Sequence, residues 1–203
     1  MGNDVSANVG PLQNQLQAPL VAIDPRFITQ EEVYLVLKEK FSFSGDDFSI
    51  HDTNGRHWFQ VKGKTFSLRD KKTLFDVANV PVLTMHSKVF SLHSTQEIYR
   101  GQSTDLAATV KKKIKLSFNS SITVTVTYQG RTEILEIKGN FMDRAFIIMR
   151  GGQLIAKSTR TNRWGAAALL TDRETYFLEV AAGVDSALMV ALAVSIDEIE
   201  RES

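Results

Sequence analysis

Eight consecutive apolar residues near the C-terminus, Ala187 to Val194, constrain the fold more than any other feature of the chain. Asp185 stands where a helix N-cap belongs, and Val184 to Glu200 reads as one helix. A helix with no polar residue on any face must be enclosed. The enclosure could be lipid, but the run is about half of the roughly 20 residues that a bilayer span needs, and Ser195, Asp197, Glu198 and Glu200 close it. A protein core is the expected surrounding. The last turn is acidic where the helix dipole favours cations, so it is expected to be a solvated tail.

What could surround such a helix is told by the residues before it. Ser121 to Tyr128 alternates strictly, with Ile122, Val124, Val126 and Tyr128 on one face and threonines on the other. Period two means strand. Phe48 to Asp52 and His57 to Val61 flank Thr53-Asn54-Gly55-Arg56, where Asn-Gly supplies the positive-φ residues of a tight hairpin turn. Gln129-Gly130-Arg131 leads into Glu133 to Lys138, and Arg150-Gly151-Gly152 separates Ala145 to Met149 from Gln153 to Lys157. Further strand-like runs are Thr65 to Leu68, Thr73 to Asp76, Val82 to Met85, Glu97 to Arg100, Thr109 to Phe118, Ala167 to Leu170 and Thr175 to Val180. The expectation is a mainly β fold of about twelve strands. A sheet of this size closes to remove its edges, and a closed sheet with an interior must fill it. The apolar helix is the available filler, giving a closed β-barrel around a C-terminal helix; a sandwich with the helix across one mouth also satisfies the pattern.

Residues 1–19 carry a single charge, Asp4, and a Gln/Asn cluster from Gln13 to Gln17, and read as a flexible leader before one domain spanning 20–203. The leader lacks the apolar core of a secretory signal, so a cytoplasmic location is expected. Met1-Gly2-Asn3-Asp4-Val5-Ser6 fits the myristoylation pattern, which makes Gly2 a lipidation candidate. With no cysteine in the chain, disulfides, thiolate metal sites and cysteine nucleophiles are excluded. A net charge of +1 argues against a whole-surface nucleic-acid binder.

Several short motifs resemble a known group. Phe48-x-Ile50-x-Asp52-x-Asn54-Gly55, Val61-Lys62-Gly63 with Leu68-x-Asp70-Lys71, and Tyr99-Arg100-Gly101-x-Ser103-Thr104 look like the LURP-one-related family of the tubby C-terminal-like superfamily. Lys138 to Arg144 and Val184-Asp185-x-Ala187, with Val194-x-Ile196-Asp197-Glu198, match its second half in order. The resemblance runs from about Pro19 to Arg201. It implies a twelve-stranded barrel around a central helix, and kinship with phosphoinositide-binding domains and phospholipid scramblases. It does not imply an enzyme.

The residues themselves offer little catalytic chemistry. No phosphate loop, nucleophile elbow, His-Glu-x-x-His or dinucleotide fingerprint is present. The four histidines, His51, His57, His86 and His93, lie in separate segments, and no helical or turn spacing joins two of them with an acid, so neither metal nor cofactor is expected. The informative features are basic. Lys62, Lys64, Arg69, Lys71 and Lys72 are opposed only by Asp70, and Lys111, Lys112, Lys113 and Lys115 follow in a strand-like run. Alternation sends Lys111, Lys113 and Lys115 to one face and Lys112 to the other. If both clusters share one side, Lys62, Lys64, Arg69, Lys71, Lys72, Lys111, Lys113 and Lys115 are candidates for docking anionic lipid headgroups. The competing reading is that they solvate outer faces and blunt edge pairing. The functional expectation is a non-enzymatic module that binds anionic, phosphoinositide-type lipid or a protein partner peripherally at membranes. Scramblase-like lipid handling and a scaffold with no lipid role are the alternatives. Specific nucleic-acid recognition is not expected, because arginine and aromatics are scarce in Lys111 to Lys115.

Overall fold

The computed structural model describes residues 12, 18–42, 45–64, 71–88, 94–113, 121–160 and 174–201. Twelve antiparallel strands appear among them: β1 (Val33–Ser42), β2 (Gly45–Asp52), β3 (His57–Lys64), β4 (Lys71–Asp76), β5 (Pro81–Ser87), β6 (Thr95–Arg100), β7 (Leu106–Lys113), β8 (Ser121–Tyr128), β9 (Arg131–Asn140), β10 (Ala145–Arg150), β11 (Gln153–Thr159) and β12 (Thr175–Val180). Each pairs with its neighbours in sequence, and β1 pairs with β12 from Val33↔Val180 to Lys38↔Thr175, which closes the barrel. The helix α1 (Ser186–Arg201) fills it. Every residue from Ser186 to Ile196 is at most 2% exposed, against inward-facing residues such as Leu35, Ile50, Val61, Leu83, Val124 and Ile148. Closure, not a sandwich, is how this sheet meets its edge problem.

Asp185 caps α1 as its position implied, and it does more. One carboxylate oxygen accepts from the Leu188 amide at 3.1 Å, while the other accepts from the amides of Ala22 at 3.2 Å and Ile23 at 2.9 Å. The segment around Leu20 to Ile28 is thereby strapped across the mouth at which the helix begins, helped by bridges Leu20↔Val184 and Ile28↔Asp185. Burial raises the Asp185 carboxyl above its ordinary value. Leu12, within the expected leader, is buried in the core cluster.

Three readings need correction or relocation. The strand β1 was not among the anticipated runs, yet it joins β2 to β12. The runs Thr65 to Leu68 and Ala167 to Leu170, and the end of Thr109 to Phe118, lie outside the described residues. The acidic end of α1 is not a solvated tail: Asp197 is 8% exposed, and Asp197, Glu198 and Glu200 all hold ion pairs. Opposite charges from the wall outweigh the unfavourable helix dipole there, which is worth at most about 2 kcal/mol in a partly buried setting.

Candidate functional site

A meander places its connections alternately at two ends of the barrel. The end at which α1 finishes is identified by its partners. Lys72, at the start of β4, lies 2.5 Å from Glu198; Lys112, near the end of β7, lies 2.7 Å from Glu200; Arg144, in the turn between β9 and β10, lies 2.7 Å from Asp197. The connections β3–β4 and β7–β8 therefore open at the same end, and the two lysine clusters of the sequence surround those two connections. Topology brings them to one end of the barrel, four strands apart around its rim.

Within that end the candidates divide. Lys111 is exposed on the outer face, whereas Lys112 turns inward to its glutamate, as alternation required. Lys62 is half-buried and its ammonium is directed away from this end, 5.0 Å from the centre of the Phe75 ring and 3.3 Å from Asn79 Oδ1 in the β4–β5 turn. Lys71 is half-buried on the outer wall. Lys72 is 6% exposed and bound to Glu198, so its charge serves the barrel interior and is withdrawn from headgroup contact. Lys64 and Lys113 are placed only as strand-ending backbone positions, and Arg69, Lys115 and Gly2 lie outside the described residues.

Inside the same mouth sits an ion network that joins helix to wall. The Arg144 guanidinium donates through Nε and Nη2 to both Asp197 oxygens, at 2.7 and 2.8 Å, and through Nη2 to Glu39 at 2.6 Å. Arg201 also donates to Glu39. The guanidinium of Arg144 stands 4.9 Å over the ring of Tyr176. Burial alone would raise the Glu39 carboxyl, but hydrogen bonds from Arg144 and Arg201 hold it below its ordinary range. For Asp197 burial wins, and its carboxyl is raised despite the Arg144 contacts.

A groove of about 560 Å³ runs along the outside of β4, β5 and β6, lined by Lys71, His86, Ser87, Lys88, Glu97, Tyr99, Ser103 and Thr104. Glu97 organises its floor, 3.0 Å from the Lys88 ammonium and accepting from the Tyr99 hydroxyl at 2.8 Å. Burial pushes the Glu97 carboxyl up, but these bonds outweigh it and leave it lowered. The His86 ring meets Tyr99 edge-on at 5.5 Å. The lining is polar and of mixed charge. Sequence reasoning found only Lys71 of this set. His86, Lys88 and Glu97 come together through the cross-strand row Lys71↔His86↔Glu97, which no local motif announces. Among the described residues, no group of three or more His, Asp or Glu converges as a metal-ligand set.

The family model described as LURP-one-related matches residues 33–197. The chain belongs to the LURP-one-related family. Its similar relatives in Arabidopsis thaliana include Protein LURP-one-related 15, 26% identical over 192 residues that cover 92% of this chain and 88% of that protein. Protein LURP-one-related 10 is 26% identical over 190 residues, covering 90% of this chain and 98% of the relative. Protein LURP1 is 24% identical over 192 residues, covering 92% and 93%. The X-ray structure of an Arabidopsis thaliana protein superposes with a TM-score of 0.65 at 24% identity, over 89% of this chain and 99% of that one, which supports the fold.

In this LURP-one-related chain the motif residues are mostly builders of turns. Asp52 accepts from the Asn54 and Arg56 amides at 3.0 and 2.9 Å, shaping the hairpin that Gly55 completes at φ +81°. Arg100 donates from Nη2 to the Ala22 carbonyl at 2.8 Å, tying the strap to the wall, and Ser103 Oγ donates back to the Arg100 carbonyl at 2.7 Å. Tyr99, Ser103 and Thr104 of the same motif are the part that also reaches the groove.

Proposed function

We propose that this LURP-one-related barrel is a non-catalytic binding module that docks on anionic membrane lipid with the end at which α1 finishes. The observation that carries this reading is topological: the connections β3–β4 and β7–β8 open at one end, where Lys71 and Lys111, some 40 residues apart in sequence, lie on the outer face, and the groove beginning at Lys71 opens beside them. Each exposed lysine near a negatively charged bilayer contributes about 1 kcal/mol, and the contribution decays within about a Debye length. Several must act together, so convergence matters more than any single residue. Myristoylation at Gly2 would add the second signal that stable attachment needs.

Scramblase-like handling through the helix is disfavoured by its surroundings. Insertion of α1 into lipid would empty the barrel of its core, and no helix among the described residues is long and apolar enough to cross a membrane. The test is co-sedimentation of the unacylated protein with phosphatidylcholine vesicles containing or lacking phosphatidylserine or phosphoinositide, at low and physiological salt. Binding is expected only with anionic lipid and should weaken with salt. The combined variant Lys111→Glu, Lys113→Glu and Lys115→Glu should lose it with an unchanged melting temperature. Equal sedimentation with neutral and anionic vesicles, or none with either, would leave a protein-binding scaffold as the function.

A further inference from the structure

The hairpin of β2 and β3 brings together two histidines on the outside of the barrel. They are six residues apart in sequence, a spacing without meaning for a metal on a single strand or helix. The register runs from Ile50↔Phe59 to His51↔His57, so one residue, Trp58, is left over opposite His51. Such a bulge disturbs the alternation and re-aims neighbouring side chains. The His51 and His57 rings consequently stand 5.1 Å apart between centres, tilted by 56°. His51 Nε2 is 2.5 Å from Ser49 Oγ, whereas its Nδ1 is buried and has no hydrogen-bond partner among the described residues.

We propose that His51 and His57 form an open two-histidine site for zinc, with His51 binding through Nδ1. Two imidazoles on one tetrahedral zinc ion, with bonds of about 2.1 Å and ring centres about 1.1 Å behind the nitrogens, hold their centres about 5.2 Å apart. The observed 5.1 Å is close to that value. Ordinary ring contacts also fall in this range, so the distance gains its meaning from the nitrogen it accompanies. In the tautomer that carries its proton on Nε2, that N–H donates to Ser49 Oγ and Nδ1 presents a bare lone pair. A metal-bound imidazole is typically arranged this way, with its far N–H given to an oxygen that fixes tautomer and orientation.

The surroundings fit a modest affinity. The exposed Lys40 repels an incoming cation, and the nearby Asp52 carboxylate is engaged by Arg56 and Trp58. Two protein nitrogens leave two tetrahedral positions to water or to a group from a docking partner. Nitrogen-only ligation selects zinc over calcium or magnesium, which take oxygen.

Calorimetric titration of the full chain with zinc chloride tests this, run beside His51→Ala, His57→Ala and His86→Ala, with calcium chloride as the control. One zinc per chain is expected, with no calcium uptake. Affinity should fall at least about tenfold in His51→Ala and in His57→Ala, the low end of what loss of even a supporting group behind a ligand costs, and should be unchanged in His86→Ala. If His51→Ala melts early, the exposed His57→Ala decides alone, and zinc should raise the melting temperature of the parent but not of that variant. Zinc uptake that survives His57→Ala undiminished, or no uptake by the parent at millimolar zinc, overturns the proposal.

Discussion

Replacing Arg144 by Met should destabilise the barrel far more than a surface charge would, because of what it leaves behind. The side chains of Glu39 and Asp197 are 2% and 9% exposed, and Arg144, its side chain 14% exposed, pairs with both. Removing one partner from a buried ion pair costs about 3–5 kcal/mol, since the remaining charge keeps its desolvation penalty. Arg201 stays in contact with both carboxylates, at 3.4 Å from Asp197, but is 36% exposed and compensates only in part. The lower end, about 3 kcal/mol, is the expected loss. For a domain of this size that corresponds to a fall in melting temperature of about 6–12 °C. Thermal and urea unfolding followed by circular dichroism measure it. A double-mutant cycle isolates the cause: Asp197→Asn in the Arg144→Met background should cost much less than in the parent, giving a coupling of about 2 kcal/mol. A loss below about 1 kcal/mol, the range of surface pairs, or additive single effects would refute the idea that this network locks helix to wall.

Other perturbations test the same architecture. Leu188 is fully buried on α1, so Leu188→Asp should abolish the folded state by placing an unpaired charge in the barrel, and a soluble, cooperatively melting variant would contradict the enclosed helix. Gly139 has φ +151°, and a Cβ there would lie 2.3 Å from the Ala145 carbonyl oxygen and 2.5 Å from Phe146 Cα. Gly139→Ala should therefore cost about 3 kcal/mol or more, read from the urea midpoint, and a neutral result would mean that the β9–β10 wall yields easily. The lowered Glu39 carboxyl binds fewer protons in the folded than in the unfolded chain, so its contribution is present above its ordinary value of 4.5 and is lost as pH falls through the lowered one. Glu39→Gln mimics the protonated group; it should be less stable than the parent at neutral pH, with the gap closing in acid. A gap that is constant with pH would assign Glu39 a packing role only.

How far the fold was legible follows from the range over which each signal acts. Period-two alternation is a property of adjacent residues, and so β8 and the hairpins at Asn54-Gly55 and Gly151-Gly152 could be read directly. The wholly apolar stretch of α1 required an enclosure, and a long meander could supply only a barrel or a sandwich. The strand β1 escaped because Val33 to Leu37 is unbroken apolar sequence and Glu39, inward by alternation with Leu35 and Leu37, looks wrong for a core. Its partner Arg144 lies 105 residues away, and Lys72 lies 126 residues from Glu198. The dipole rule applied to the end of α1 is local, so it described the intrinsic preference correctly while missing the charges that override it.

The functional features were obscured for a related reason. A spacing rule for metal ligands looks along one element, whereas His51 and His57 meet across a turn whose bulge adds a residue. The groove residues Lys71, His86 and Glu97 belong to three different strands, and only the settled register aligns them in one row. Lysine clusters carry no register information at all. Their common end follows from the four strands β4 to β7 that separate the two connections. The ion pairs of Lys72, Lys112 and Arg144 then place the acids of α1 at the same mouth as the rim lysines. The inward lysines Lys72 and Lys112 are spent on helix acids that hold α1 in the barrel, whereas Lys111 of the same strand as Lys112 faces outward and is exposed.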